Sequence, residues 1–465
     1  MKEKLAVFTT FANSLYPNEV EYLSKVQKFK DPDNIKILNI IIYNLKHVSK
    51  RKPFDTSIDK RKYSKLKKWI YNQLNIIDVD YFFNWLSEID KKINTDNILA
   101  DDEKLILKEL KLIKPTTYYF IRFYELLENY NDYILIRMRF HMLEQVNRVL
   151  EKYRANYEKA IKRQRTLHEL SEKLIHHDSP KIITAENYAQ QFEDIIKNEH
   201  IDGYTRYRAF IRLSYYHYRI SNFNEMKKVY VYLDKQFEKN LFYSKRILAN
   251  YYANRALMHV KLNEFDNAEY YGRLSIQQKN TDYIFYLNNF SNILLKKQKY
   301  ALALDYQKKA IQEVQKTNNF YHKVGFTSIY IKTLIKNKFY KKAADYGKSF
   351  LDVYHKEIFD FRRHLFFNAY IEALFYAETF NTVIHLCKRY KLHEKEKNLS
   401  FSENQAPKLF WYYTLSKYMT NSLSEKKCIE LLTESVKGTK FALKEGRLAL
   451  ILKTTSYSMY QKIIV

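Results

Sequence analysis

Glycine and proline are scarce in this 465-residue chain, at six each, and cysteine is scarcer, at two. The glycines are Gly203, Gly272, Gly325, Gly347, Gly438 and Gly446, and no two form a G-x-G. Phosphate-cradling loops need glycine so that backbone N–H groups can approach the anion, so P-loop, kinase and dinucleotide-binding enzymes of the usual kinds are excluded. All-β folds, which place glycine and proline in turns, are disfavoured as well. Cys387 and Cys428 are too few for a disulfide framework or a cysteine-rich zinc site. No run of about 18 apolar residues occurs, so no membrane-spanning helix is expected. The opening Met1-Lys2-Glu3-Lys4 with its short apolar run reads as a poor secretory signal, and the expected setting is reducing and cytoplasmic.

Acid is short too. Against 80 Lys and Arg stand 52 Asp and Glu, a formal charge of +28. Lysine outnumbers arginine 60 to 20, which makes part of that charge compositional background, since readers of phosphate geometry favour arginine. With 46% apolar residues the chain can still bury a core.

What is abundant is helical periodicity. Over 62–89, Leu66, Trp69, Ile70, Leu74, Ile77, Phe82, Trp85, Leu86 and Ile89 recur at three- and four-residue spacing. From about Tyr133 to His177 no proline or glycine intervenes, and one long spine helix is expected there. Its seam holds Met142, Val146, Val149, Tyr153, Ala160, Leu167, Leu170 and Leu174, with Asn156 and Arg163 as polar members. Such a seam packs internally or pairs two copies as a coiled coil, so a homo-oligomer through this helix is one reading. His168, Glu172 and His176, followed by His177 and Asp178, have ligand-like spacing, but a solvated face accounts for them.

The second half repeats. The pairs Phe223/Met226, Phe265/Ala268, Tyr300/Ala303, Tyr340/Ala343 and Phe380/Val383 have anchors 42, 35, 40 and 40 residues apart. Five residues before each anchor stand Tyr218, Val260, Leu295, Ile335 and Phe375; nine before stand Ser214, Ala256, Ser291, Ile331 and Ile371. This spells helix, tight turn, second helix, with a small or apolar residue where the two helices approach. A degenerate sixth unit is expected over 405–436, around Trp411 and Cys428. One hairpin cannot cover its own apolar face, so neighbours must stack.

The pattern resembles the tetratricopeptide repeat family, best over 205–390 and most closely in Ala256 to Tyr271. It departs in its longer periods, its missing closing proline, and Gly272 and Gly347 where a larger residue is usual. The resemblance implies an all-α, right-handed α-solenoid of helical hairpins with an N-terminal helical module and a long spine helix. The expected divisions are 1–115 (basic module), 116–179 (spine) and 180–465 (repeat array with a C-terminal cap). It also implies that first helices line a concave face. Four before the anchors stand Arg219, Lys261, Lys296, Lys336 and Tyr376; eleven or twelve before stand Asn254, Asn288, Asn289 and Asn368; eight before stand Asn292 and Lys332. Amides can pair with an extended peptide backbone and ammonium groups with carboxylates or phosphates. A helix-end cation is also favoured by the dipole alone.

A second basic feature is 46–68, eight net positive charges that include Lys50, Arg51, Lys52, Lys60, Arg61, Lys62, Lys65, Lys67 and Lys68. It suits nucleic-acid phosphates or an acidic partner, with Tyr63, Trp69 and Tyr71 as candidate base-stacking groups. Trp69 lies on the apolar stripe and reads as core. The expectation is a non-enzymatic scaffold for an acidic protein or peptide, without catalytic residue, cofactor or metal. The alternatives are a nucleic-acid-associated protein and a peptide-sensing regulator that changes curvature on binding.

Overall fold

The computed structural model describes residues 5–47, 50–176, 187–398, 406–437 and 446–464, and every regular element among them is helical. The chain divides into two compact units, Met1–Gln278 and Lys279–Val465. The expected boundaries near 115 and 179 fall inside the first.

Two of the prolines open helices instead of interrupting them. Pro17 and Pro32 each take the first helical position, where a missing N–H costs nothing. Asp31, Asp59, Asp78, Asp202 and Ser244 cap helix starts by accepting backbone N–H groups. The first unit runs through short N-terminal helices to Phe120–Ile136 and Phe140–His176, which pack on each other. The expected unbroken helix from Tyr133 is therefore corrected. Met138 adopts a left-handed backbone, φ 54°, and the Arg139 N–H reaches the Ile134 carbonyl at 3.1 Å. Arg137 pairs with Asp96 at 2.6 Å, and Arg139 pairs with Glu103. Neither glycine nor proline marks this break, so composition could not reveal it. Along Phe140–His176 the seam residues Val146, Ala160, Leu167, Leu170 and Leu174 are buried in the core of the unit. His168 and Glu172 stand 3.4 Å apart on the exposed side; His177 and Asp178 lie outside the described residues.

The same turn recurs at each hairpin of the repeat region. Two residues before each anchor a non-glycine residue is left-handed: Ser221, Asn263, Gln298, Lys338 and Glu378, with φ between 57° and 63°. The next N–H then reaches back to the carbonyl five residues earlier: Asn222 to His217, Glu264 to His259, Lys299 to Leu294, Phe339 to Leu334, and Thr379 to Leu374, at 2.9–3.0 Å. These two features define a Schellman ending, which satisfies carbonyls a helix leaves orphaned. Asn421, φ 55°, repeats it with Ser422 N–H to Lys417 O at 2.8 Å, between helices Lys408–Met419 and Glu425–Val436. The degenerate sixth unit thus has the hairpin geometry of the other five. Ala268, Ala303, Ala343 and Val383, three after their anchors, are fully buried, as are Ser291, Ile331 and Ile371 nine before.

In the second unit the first helices Tyr283–Lys296, Phe320–Lys336, Arg363–Tyr376 and Lys408–Met419 each pack against the next. The intervening second helices, Tyr300–Lys309, Tyr340–Val353 and Phe380–Arg389, pack on their own first helix and on the following one. Gly347 has a steric reason to be glycine: a Cβ there would lie 2.4 Å from Cδ2 of Tyr370. Tyr370 is 2% exposed and cannot move aside cheaply. Gly347→Ala is expected to lose about 1–3 kcal/mol of stability by urea unfolding. Conversely, Lys338→Gly relieves a left-handed non-glycine residue, and its urea midpoint is expected to rise by the equivalent of about 1 kcal/mol.

Candidate functional site

The ladder positions divide into three kinds of environment. Three of the residues four before the anchors contact a preceding element. In the first unit Lys261 lies over the rings of Tyr218 and Phe223, at 5.3 and 5.9 Å, and Arg219 donates to the Leu174 carbonyl at 2.6 Å, capping the long helix. In the second unit Tyr376, the aromatic member of this series, stacks on Tyr340 at 5.5 Å. Lys296 and Lys336 are exposed at their helix ends. Lys261 and Tyr376 thus join one hairpin to the last, a packing role that snorkelling cations and aromatics perform well.

The asparagines behave differently from one another. Asn254 and Asn368 turn back along their own helices, donating to the carbonyls of Asn250 and His364 at 3.0 and 2.9 Å. Asn288 reaches across to the next first helix, donating to the His322 carbonyl at 3.3 Å, while its Oδ1 is buried without a partner. Asn289 Nδ2 is likewise buried without a partner, and Asn292 is exposed. Next to this pair lies Gly325, where a Cβ would stand 2.7 Å from a guanidinium nitrogen of Arg362 and 3.3 Å from the Asn288 amide. Arg362, in the π-helical turn Ile358–Arg362, spreads its guanidinium over Tyr321 at 3.5 Å. A lone glycine in mid-helix is the sequence signal for this close approach.

The eight-before positions carry the electrostatics. Lys332 is half-buried, and burial holds its pKa below the usual lysine value, with the cations Lys408 and Arg447 pushing it further down and Glu372 opposing. Glu372 also sits eight before its anchor, Phe380, so the register that selected Asn292 and Lys332 contains it as the next rung. Lys408 and Arg447 each open a helix, Lys408–Met419 and Arg447–Thr455, outside the register, and no spacing argument could have found them. His364 faces the same group; burial and then Lys332 lower its pKa.

The 46–68 segment lies in the first unit and is partly neutralised there. Lys62 bridges Asp31 and Asp33, both at 2.8 Å. Lys52 sits over the Tyr43 ring at 4.2 Å, and Lys67 over Phe11 at 5.1 Å. Lys50, Arg51, Lys60, Arg61, Lys65 and Lys68 are exposed. Trp69 packs on Phe29 against the core, and Tyr63 is buried with its hydroxyl donated to the Asp55 carbonyl, which leaves Tyr71 as the exposed ring of the three. Among the described residues no group of three His, Cys, Asp or Glu could hold a metal ion. No helix among them is long and apolar enough to cross a membrane.

Sequence reasoning missed a cavity of about 600 Å³ in the first unit, walled by Tyr118, Tyr119, Tyr204, Asp202 and the Arg246–Asp80 pair, whose two bonds are 2.8 and 3.0 Å. Asp202 is 1% exposed; its Oδ1 caps the Gly203–Arg219 helix through Thr205 N–H at 2.9 Å, and its Oδ2 has no partner. Burial pushes its carboxyl up to about 6. The folded chain therefore holds this proton more tightly than the unfolded one, and the group's stabilising effect is lost as pH rises from about 4 to about 6. Asp202→Asn keeps the cap and removes the titration. Across that window the variant's stability is expected to gain on the natural chain's by up to about 3 kcal/mol, read from urea midpoints at successive pH values.

No protein-family model and no curated protein matches this chain.

Proposed function

We propose that this chain is a non-enzymatic scaffold whose hairpins stack as a right-handed, tetratricopeptide-like solenoid. Its first helices bind an acidic, extended segment of a protein partner. The carrying observation is the buried amide pair of the second unit: Asn288 Oδ1 and Asn289 Nδ2 have no protein hydrogen-bond partner among the described residues. One is an acceptor and one a donor, the pair an extended backbone presents in return. Leaving both unmade costs free energy that a ligand would recover. Arg362, whose guanidinium borders the same Gly325 as the Asn288 amide, adds positive charge beside them. The packing of each first helix on the next supports the solenoid, because it places equivalent positions side by side.

A second reading, nucleic-acid association, draws on the exposed row Arg61, Lys65 and Lys68, spaced i, i+4 and i+7 on the Lys60–Ile77 helix. One assay separates the two. Labelled acidic peptides and labelled RNA are titrated with the full chain, and fluorescence anisotropy is followed. Acidic-peptide binding is expected, weakened at least about tenfold by Asn289→Ala with Lys332→Ala, a loss of about 1.4 kcal/mol or more. Salt-sensitive RNA binding lost in Lys65→Glu with Lys68→Glu, without peptide binding, would replace the scaffold reading by the second.

A further inference from the structure

A buried carboxylate is normally matched by a cation or by several hydrogen bonds, because burying the bare charge is costly. Four charged side chains line the cavity of about 600 Å³ in the first unit: Asp80, Arg122, Asp202 and Arg246. Three of them are already matched. Arg246 holds both carboxylate oxygens of Asp80, at 2.8 and 3.0 Å, and Arg122 pairs with Glu125 at 2.9 Å. Asp202 is the exception. It is 1% exposed, its Oδ1 accepts the Thr205 N–H, and its Oδ2 has no protein hydrogen-bond partner among the described residues. The helix start that it caps offers partial positive charge, yet burial outweighs the bonds made there and pushes the carboxyl up to about 6. The wall beside Asp202 is aromatic. Tyr119 is central, with Tyr118, Phe83 and Tyr204 at ring-centroid distances of 4.7, 4.8 and 5.6 Å. Gly203 lets the turn that carries Asp202 close on this wall: a Cβ there would lie 3.0 Å from both Cα and Cδ2 of Tyr118, and the Tyr204 N–H reaches the Tyr118 carbonyl at 2.9 Å. Aromatic faces attract cations, and Arg208, one turn further along the same helix, already uses Tyr204 in this way at 5.5 Å.

We infer that this cavity is a binding site for an organic ammonium ion with at least one N–H, which it donates to Asp202 Oδ2 while its carbon groups lie on Phe83, Tyr119 and Tyr204. The inference does not depend on the scaffold reading: every residue in it lies in the first unit, and the amide pair lies in the second. A monocation matches the one carboxylate that the wall leaves without a counter-charge. An anion would have to draw Arg246 from Asp80 or Arg122 from Glu125, and a neutral apolar guest would leave Oδ2 unpaired. A quaternary ammonium suits the rings but has no N–H to give. The volume is that of a small-molecule site, with room for several carbons beyond the ammonium group. A free amine and the lysine side chain of another protein share this chemistry.

The test titrates the full chain by calorimetry at about pH 8, where Asp202 is ionised and alkylamines are protonated. The probes are butylammonium, butanol, tetramethylammonium, butyrate and Nα-acetyl-lysine methylamide. Butylammonium is expected to bind at least about tenfold tighter than butanol or tetramethylammonium, and to lose about tenfold in Asp202→Asn, which keeps the helix cap. Phe83→Leu, at a ring 39% exposed, is expected to weaken butylammonium about threefold without moving the Tm of the unliganded chain. Should Asp202→Asn fail to fold, the probe comparison in the natural chain and the Phe83 variant still decide. No binding of butylammonium by about 10 mM, equal affinity for butanol, or binding indifferent to Asp202→Asn overturns the site. Tetramethylammonium matching butylammonium overturns the bond to Asp202, and a preference for butyrate shows that the arginines receive an anion instead. Nα-acetyl-lysine methylamide binding tighter than butylammonium upholds the site and identifies a protein lysine as its source; the reverse order upholds it with a free amine.

Discussion

The hairpins depend on a single backbone event, a residue turned into the left-handed region just past each first helix. Everything else in a hairpin is placed by it. The Schellman bond fixes the chain's exit, the anchor then starts the second helix, and the residue three later meets the first helix at zero exposure in Ala268, Ala303, Ala343 and Val383. For an L-residue this conformation costs about 1–2 kcal/mol, and the chain uses Ser, Asn, Gln, Lys and Glu there instead of glycine. The cost is tolerable because each turn locks apolar helix faces that bury whole aromatic and aliphatic side chains. Glycine scarcity therefore says less about turns than it first suggests.

A second kind of constraint ties the N-terminal helices of the first unit to its hairpins. Glu19, completely buried, accepts from the Tyr16 N–H at 2.7 Å and the Tyr243 hydroxyl at 2.6 Å, with Lys245 at 3.8 Å. Burial raises its pKa, opposed first by Lys245. The Tyr243 backbone carbonyl accepts the Val79 N–H at 2.9 Å, and the Tyr252 hydroxyl donates to Asn18 Oδ1 at 2.5 Å. Arg206, 4% exposed, donates to the Ile196 carbonyl at 2.9 Å and closes the end of the Tyr188–Lys197 helix. Buried polar groups with few alternative partners select one arrangement of these helices over the many that apolar contact alone would allow.

The helical class and the hairpin anchors were legible because burial imposes a period on the sequence, and anchors, small residues and apolar positions all obey it. The helix break at Met138 was not legible. A left-handed methionine has no compositional signature, and the bonds that hold it, Arg137 to Asp96 and Arg139 to Glu103, join distant segments. The site was legible only in part. Register picked out Lys332 and the Asn288–Asn289 pair, and the same register contained Glu372. Lys408 and Arg447 enter through tertiary proximity, which no periodicity encodes. The basic segment illustrates the opposite error: Lys62, Lys52 and Lys67 count toward the net charge, yet Asp31, Asp33 and aromatic rings already occupy them.

The left-handed turn residues also make the chain readable as a ruler. Gln298, Lys338 and Glu378 are all exposed, repeat at equal intervals of 40 residues and support only backbone geometry. Both native thiols are buried, with Cys387 pushed up to about 12 and Cys428 to about 11 by desolvation, so neither competes for a thiol-reactive probe. Pairs of cysteines introduced at these turns would accept labels in the otherwise natural chain. The distance between labels would report directly on the spacing of the second unit's hairpins.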